Sequence, residues 1–186
     1  MERRKTKGRP APDVRPLDGH RLPVSVQPMY GDKKNHCFAC APGNRTGLHL
    51  RFVQRDGEKS VECPLYVPKR FEGPPGHVHG GILATILDEA MGKVNRQKNI
   101  VALTRQMTVE YLRPVPLKTR LVAVGWPVSE HGRKHRNAAE VRTLDGEVLT
   151  RSEGLFISID PVAMFEKQKK TAPAPPPTGK RMLGTL

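Results

Sequence analysis

The chain contains 186 residues, which is enough for one domain with tails. Its formal charge is +14; residues 1–21 and 166–186 each carry +4, which leaves +6 for residues 22–165. A basic balance favours anionic partners such as nucleic acid, an anionic membrane or a phosphorylated small molecule. Only 5% of residues are aromatic and no RNA-binding motif interleaves them with cations, so no nucleic-acid partner is expected. No apolar run approaches about 18 residues, so no transmembrane segment is expected.

The cysteines number three, an odd count, and no secretory segment precedes them, which predicts a reduced, cytoplasmic setting. His36 and the Cys37-x-x-Cys40 pair are weak evidence for zinc, because a structural zinc site needs four ligands. Cys63 and His49 are the nearest extra candidates, and their spacing fits no zinc-finger pattern. The sequence therefore predicts neither a metal site nor a cofactor.

Composition divides the chain into three parts. Residues 1–28 are proline-rich and basic without hydrophobic periodicity, which predicts a disordered tail, and the Pro/Lys-rich residues 166–186 predict a second one. Residues 29–165 remain as one domain.

Within the domain, the hydrophobic pattern predicts two strands, one helix and four further strands. Apolar and polar residues alternate over 48–53, which predicts the first strand. An Asp56-Gly57 turn follows, and residues 61–67 are predicted to form the second strand. Apolar positions then recur at helical spacing from about 79 to 97. The remaining strands are predicted at 100–112, 119–128, 135–144 and 147–159. One helix facing an antiparallel sheet is an α+β architecture.

The helix begins with two adjacent glycines, Gly80 and Gly81, after a Pro/Gly-rich loop and His79. The first backbone N–H groups of a helix have no intrahelical acceptor, so they can bind an anion or a polarised carbonyl oxygen. Asp88 lies among apolar residues of the same helix, where a charge is costly without a role or a partner. Oxyanion donors near a desolvated carboxylate favour acyl transfer or hydrolysis.

Helical geometry separates these groups. Gly80 and Asp88 are about 12 Å apart along a helix axis, and His79 and Asp88 lie on opposite faces. One carbonyl cannot contact both the Gly80 N–H and the Asp88 carboxylate of one chain. The spacing therefore predicts a site completed across a two-fold dimer interface. The structural alternative is that the glycines allow close packing and Asp88 pairs with Lys93 or Arg96.

Four segments carry a resemblance to a known family: CFACAPGN, GPPGHVHGGILATILDEAMG, LTRQMTVEYLRPVPL and SEHGRK, followed by the closing SEGLFISID. They resemble the hotdog-fold acyl-CoA thioesterases of the phenylacetate type, the family that includes thioesterase superfamily members 4 and 5. The likeness covers residues 36–160. It implies a hotdog fold, with an antiparallel sheet wrapped around one central helix, and a homodimer or homotetramer that hydrolyses acyl-CoA.

The resemblance also implies roles for single residues. His79 would shape the thioester pocket, the Gly80 N–H would polarise the carbonyl, and Asp88 would act as base or nucleophile. Thr104, sixteen residues after Asp88, would position the water or the carboxylate. Five more residues match positions of the family that contact the acyl-CoA: Gly81, Glu110, Leu112, Arg133 and Lys134.

Two departures and two alternatives accompany this interpretation. Some relatives carry Asn or Gln where this chain has Gly73, which would shift oxyanion stabilisation toward Gly80 and the helix dipole. Glu89 follows Asp88 and is expected to be a solvated neighbour. The alternatives are a hydratase or dehydratase of acyl thioesters on the same fold, and a non-catalytic acyl-CoA-binding hotdog protein.

Overall fold

A computed structural model describes residues 36–54 and 57–164 of the chain. The described part contains β1 (Val61–Tyr66), a short 3-10 helix (Lys69–Phe71), α1 (Gly80–Arg96), β2 (Ala102–Tyr111), β3 (Arg120–His131), β4 (Lys134–Thr143) and β5 (Val148–Ser158). The strands form one antiparallel sheet in the order β1-β3-β4-β5-β2. The two proposed tails, 1–28 and 166–186, lie outside the described residues. Among the described helices, none has the length and apolarity needed to cross a membrane.

Helix α1 packs on one face of this sheet and contacts all five strands. Its predicted apolar stripe is buried, with Ile86, Leu87, Ala90 and Met91 fully inaccessible to solvent. The helix approaches β3 closely at Gly125, where a Cβ atom would lie 2.6 Å from the Ala90 carbonyl oxygen. The predicted architecture of one helix against an antiparallel sheet is therefore confirmed.

The first predicted strand, at residues 48–53, is wrong. The N–H groups of Leu48 and Leu50 donate to the carbonyls of Phe38 and Ala39, so this segment bonds to the preceding loop rather than to the sheet. His49 between them has a φ of 54°, which a regular strand does not allow. The segment meets the sheet in the bridge between Val53 and Glu62. Alternation of apolar residues here reflects loop packing against the core.

Strand β2 forms one edge of the sheet and pairs with β5 on its other side. It is ten residues long, and seven of its side chains are exposed, whereas Ala102, Met107 and Val109 pack partly buried against the core. A register shift between Thr104 and Gln106 marks a bulge near its start. A long edge strand with few charges has unpaired backbone groups available to another strand.

Candidate active site

The start of α1 is organised by His79. This residue is the N-cap, with φ −62° and ψ 136°, and its Nδ1 accepts a hydrogen bond of 3.0 Å from the Gly81 N–H. The Gly80 N–H, by contrast, donates to no protein acceptor within the described residues. The Tyr111 hydroxyl donates to the Gly80 carbonyl at 3.0 Å and places its ring 3.5 Å from where a Gly80 Cβ would lie. One uncommitted N–H at a helix N-terminus can therefore receive a developing negative charge.

Gly73 also belongs to this end of the helix. A Cβ atom at Gly73 would lie 2.8 Å from the His79 Cα, and the Gly73 N–H donates to the His77 carbonyl. Because the obstructing atom is backbone, the loop has no space for an Asn or Gln side chain at this position. Oxyanion stabilisation from a side chain at residue 73 is therefore unavailable in this conformation.

Asp88 lies two turns further along α1 and is bonded to β2. The Thr104 hydroxyl donates to Asp88 Oδ1 at 2.7 Å. Burial raises the pKa of the Asp88 carboxyl above its usual value, the Thr104 hydrogen bond opposes that rise, and the nearby Glu89 carboxylate adds to it. A carboxylate with a raised pKa and one fixed hydroxyl donor has the properties of a general base.

Glu89 is not the solvated neighbour that the sequence predicted. Its side chain is only 18% exposed and forms an ion pair of 2.9 Å with Lys93, which is itself buried. The pairing at i and i+4 on one helix face explains why Glu89 turns away from Thr104. Lys93 is thus committed to Glu89, so the structural alternative in which Lys93 neutralises Asp88 is not realised.

The helix keeps the two halves of the predicted site apart. Gly80 and Asp88 belong to one continuous α-helix, so their Cα atoms are about 12 Å apart along its axis. Tyr111 contacts the Gly80 end while Thr104 contacts Asp88, so the two halves also lie toward opposite ends of β2. A single chain therefore presents two half-sites.

Arg133 and Lys134 lie at the Asp88 end of the sheet. Lys134 pairs with Ile157, which in turn pairs with Leu103, the residue before Thr104. Both cations are exposed, and the Arg133 Nε donates to the Ser158 carbonyl at 3.0 Å. The tight turn requires the φ of 56° at Gly132.

Glu110 and Leu112 lie at the other end of β2. Glu110 lies opposite Arg151 in the register of β2 and β5. It lines an open groove of about 430 Å³ on the sheet face away from the helix. Leu112 follows β2, is 47% exposed and donates its N–H to the Leu149 carbonyl. The structure thus separates the predicted substrate-contacting residues into an Arg133–Lys134 group and a Glu110–Leu112 group.

Tyr111 is the site residue that sequence reasoning missed. It points toward the helix, whereas its neighbour Glu110 points toward the opposite face of β2. Strict alternation from Thr104, once it was placed beside Asp88, would assign Tyr111 to the face away from the helix, and the bulge after Thr104 reverses that assignment.

Residues 75–150 match the family model described as the thioesterase superfamily. Acyl-coenzyme A thioesterase THEM4 of Rattus norvegicus is 30% identical over 116 residues, which cover 62% of this chain and 50% of the relative. The Bos taurus protein of the same name is 31% identical over 122 residues, with 64% and 50% covered. The chain thus spans about half the length of the curated relatives it matches.

Solved structures agree with this assignment. A crystal structure described as a thioesterase superfamily protein superposes with a TM-score of 0.62 and 34% identity over 66% of this chain and 60% of the other. A Bacillus halodurans protein crystallised with CoA superposes with a TM-score of 0.52 and 31% identity, covering 59% of this chain and 73% of the other. The hotdog fold and the thioesterase family predicted from the sequence are confirmed, with residues 75–150 carrying the match to the thioesterase superfamily.

Proposed function

We propose that this protein hydrolyses acyl-CoA thioesters to a free acid and CoA, with Asp88 as the general base or nucleophile. The observation that carries the proposal is the 2.7 Å hydrogen bond from Thr104 to a carboxylate whose pKa burial raises. The Thr104 hydroxyl fixes which carboxylate oxygen is occupied and leaves the other oxygen for water or for the thioester carbon. The curated relatives are named acyl-coenzyme A thioesterases, which supports the same reaction.

In the proposed reaction, the Gly80 N–H donates to the thioester oxygen. Attack on the carbonyl carbon moves negative charge onto that oxygen, and the N-terminal end of the helix dipole stabilises it. His79 contributes by capping the helix and holding the Gly81 N–H, which keeps the Gly80 N–H aimed outward. Collapse of the tetrahedral intermediate then expels the CoA thiolate, which takes up the proton that Asp88 removed from water. If Asp88 itself attacks, water then hydrolyses the acyl-aspartyl anhydride to the free acid.

A homodimer would complete the site. The outer edge of β2 pairs with no other strand among the described residues, which supports this arrangement, because two β2 strands related by a two-fold axis would pair antiparallel. Centred near Met107, such a pairing would bring the Thr104 end of one strand to the Tyr111 end of the other. Asp88 of one chain would then approach Gly80 of the partner subunit. A tetramer of two such dimers is compatible with the same site.

The CoA portion would extend toward Arg133 and Lys134. Two exposed cations beside the Asp88 half-site suit the phosphates of CoA, and Glu110 and Leu112 would contact the substrate from the Gly80 half. The superposable Bacillus halodurans protein was crystallised with CoA, which supports a CoA ligand.

Since the three cysteines are thiols, we place the protein in a reducing compartment, the cytoplasm.

The test is a free-thiol release assay on the full chain with short, long and aromatic acyl-CoAs. Hydrolysis releases CoA thiol with at least one substrate. A hydratase or dehydratase would change the acyl chain without releasing thiol, and a binding protein would retain acyl-CoA intact. Either result would refute the proposed activity.

A further inference from the structure

A cluster of ionisable groups lies on the side of α1 that faces away from Thr104. The sulfur atoms of Cys37 and Cys40 and a carboxylate oxygen of Glu89 all lie within 4.8 Å of one another. The Lys93 ammonium lies 2.9 Å from Glu89 and 3.5 Å from the Cys40 sulfur. The proposed thioesterase reaction uses none of these groups.

The loop that carries the two cysteines is held in place by its backbone. The Ala41 N–H donates to the Cys37 carbonyl, and the Leu48 N–H donates to the Phe38 carbonyl at 2.8 Å. Gly47 packs against that carbonyl, since a Cβ there would lie 2.5 Å from the Phe38 oxygen. Both thiols are therefore positioned toward the helix without a disulfide between them.

We propose that Cys37, Cys40 and Glu89 bind a thiophilic divalent cation, with Zn²⁺ as the best fit. Two sulfur ligands and one carboxylate favour zinc over magnesium or calcium, which require oxygen ligands. Zinc bonds of about 2.0–2.3 Å place ligand atoms within about 4 Å of one another, so side-chain adjustments of about 1 Å convert the cluster into three sides of a tetrahedron. Water completes the fourth position, as Cys37 and Glu89 are only partly buried.

Charge balance explains the presence of Lys93. Without metal, the Glu89 carboxylate and the Lys93 ammonium form a neutral pair, and burial raises the pKa of the Cys40 thiol to about 12. With Zn²⁺, two thiolates and Glu89 contribute three negative charges, which the metal and Lys93 balance. Because both states are neutral, zinc binding exchanges one Zn²⁺ for about two protons.

Glu89 is the ligand that the Cys37-x-x-Cys40 spacing in the sequence could not predict. It lies 49 residues after Cys40 and reaches the cysteines only because α1 packs against their loop. Its neighbour Asp88 faces Thr104, so the cation would fix the helix turn next to Asp88 without entering that site.

The test is metal binding by the full chain, stripped of metal and kept reduced. Zinc is titrated against a competing chelator, with proton release recorded in weak buffer, and Co²⁺ is titrated as a spectroscopic substitute. We expect one Zn²⁺ per chain, about two protons released and a thiolate-to-cobalt charge-transfer band. Cys37→Ser and Glu89→Gln should each weaken zinc binding at least about tenfold, whereas Cys63→Ala, at a buried cysteine outside the cluster, should leave it unchanged.

The wild-type titrations need no variant to fold, so they decide the question even if a substitution destabilises the chain. Failure of the wild-type chain to bind Zn²⁺ at one equivalent overturns the proposal. Unchanged affinity in a folded Glu89→Gln variant, or lost affinity in the Cys63→Ala variant, overturns the assigned ligand set.

Discussion

The Thr104 hydroxyl and the Asp88 carboxylate form a 2.7 Å hydrogen bond that joins edge strand β2 to helix α1. The bond fixes a carboxylate in a partly buried position and lowers its pKa, while burial acts more strongly in the opposite direction. The proposed chemistry depends on this balance, because a base must be ionised to act and still be basic enough to accept a proton.

Replacing Asp88 with Asn should remove the base while preserving shape and the contact with Thr104. We expect kcat for acyl-CoA hydrolysis to fall about 10²–10⁴-fold, the usual contribution of a positioned base. Thiol release under saturating substrate measures this loss, with Asp145→Asn, at an exposed aspartate in the turn between β4 and β5, as the matched carboxylate control. A wild-type rate in the Asp88→Asn variant would refute the mechanism.

The same substitution should stabilise the fold at neutral pH. Because the folded state raises the pKa of Asp88, its ionised form is disfavoured on folding, and this cost is fully present above the folded-state pKa. The cost disappears as the pH falls through that pKa toward the unfolded value. Thermal unfolding should therefore give a higher Tm for Asp88→Asn at pH 7, with the difference shrinking under acid conditions; a lower Tm at pH 7 would contradict this.

The pH profile should show an acidic limb set by Asp88. Since burial raises the pKa of this carboxyl, kcat/KM should begin to fall at a higher pH than an ordinary aspartate would give. Thr104→Ala removes the hydrogen bond that lowers this pKa, so the limb should move to still higher pH, with about a tenfold loss of kcat. Thr104→Ser should restore both, and an unshifted limb in Thr104→Ala would argue against Asp88 as the titrating base.

The cations at the β3–β4 turn should act on the CoA portion alone. Lys134→Ala should raise KM for acyl-CoA about tenfold with little change in kcat, since one charge-assisted contact to phosphate is lost. Acyl-pantetheine, which lacks the phosphates, should not distinguish this variant from wild type. Arg120→Ala, at the opposite end of β3, is the control; equal losses with both substrates would assign Lys134 a structural role.

Asn137 connects β4 to α1 and should matter for stability. Its buried amide donates to the Met91 carbonyl at 2.9 Å and to Asn95 Oδ1 at 3.0 Å. Asn137→Ala leaves the buried Asn95 oxygen without this donor, which should cost about 1–3 kcal/mol of unfolding free energy in urea. The exposed Thr119→Ala is the comparison, and equal stability of the two variants would contradict this role.

Hydrophobic periodicity predicted the helix well, because its apolar stripe is continuous and its start is marked by His79 and two glycines. The predicted helix, 79–97, differs from Gly80–Arg96 by one residue at each end. The last four strands were likewise found, since the turns at 131–132 and 145–146 carry glycines with positive φ. The strand predicted at residues 48–53 was wrong because alternation of apolar residues does not distinguish a strand from a loop that packs every second side chain into the core.

The site was predictable in its parts more than in its arrangement. The position of Asp88 in an apolar stripe indicated a special role, and the resemblance placed Thr104 beside it, as observed. The approach of Glu89 to Cys37 and Cys40 and the contact from Tyr111 depend on how distant segments pack. No local pattern in the sequence encodes those contacts, so only the three-dimensional structure reveals them.

Paired heterodimers test the composite site most directly. Gly80→Pro removes the N–H at the first position of α1, where proline fits a helix and the ψ of 136° at His79 suits a following proline. One heterodimer combines an Asp88→Ala chain with a Gly80→Pro chain, and the other combines wild type with the double variant. Both are purified by two different affinity tags.

A site shared between subunits gives the first heterodimer one intact site, and therefore about half the wild-type rate, and leaves the second with none. Half activity in the second heterodimer and none in the first would place the whole site within one chain and contradict the account.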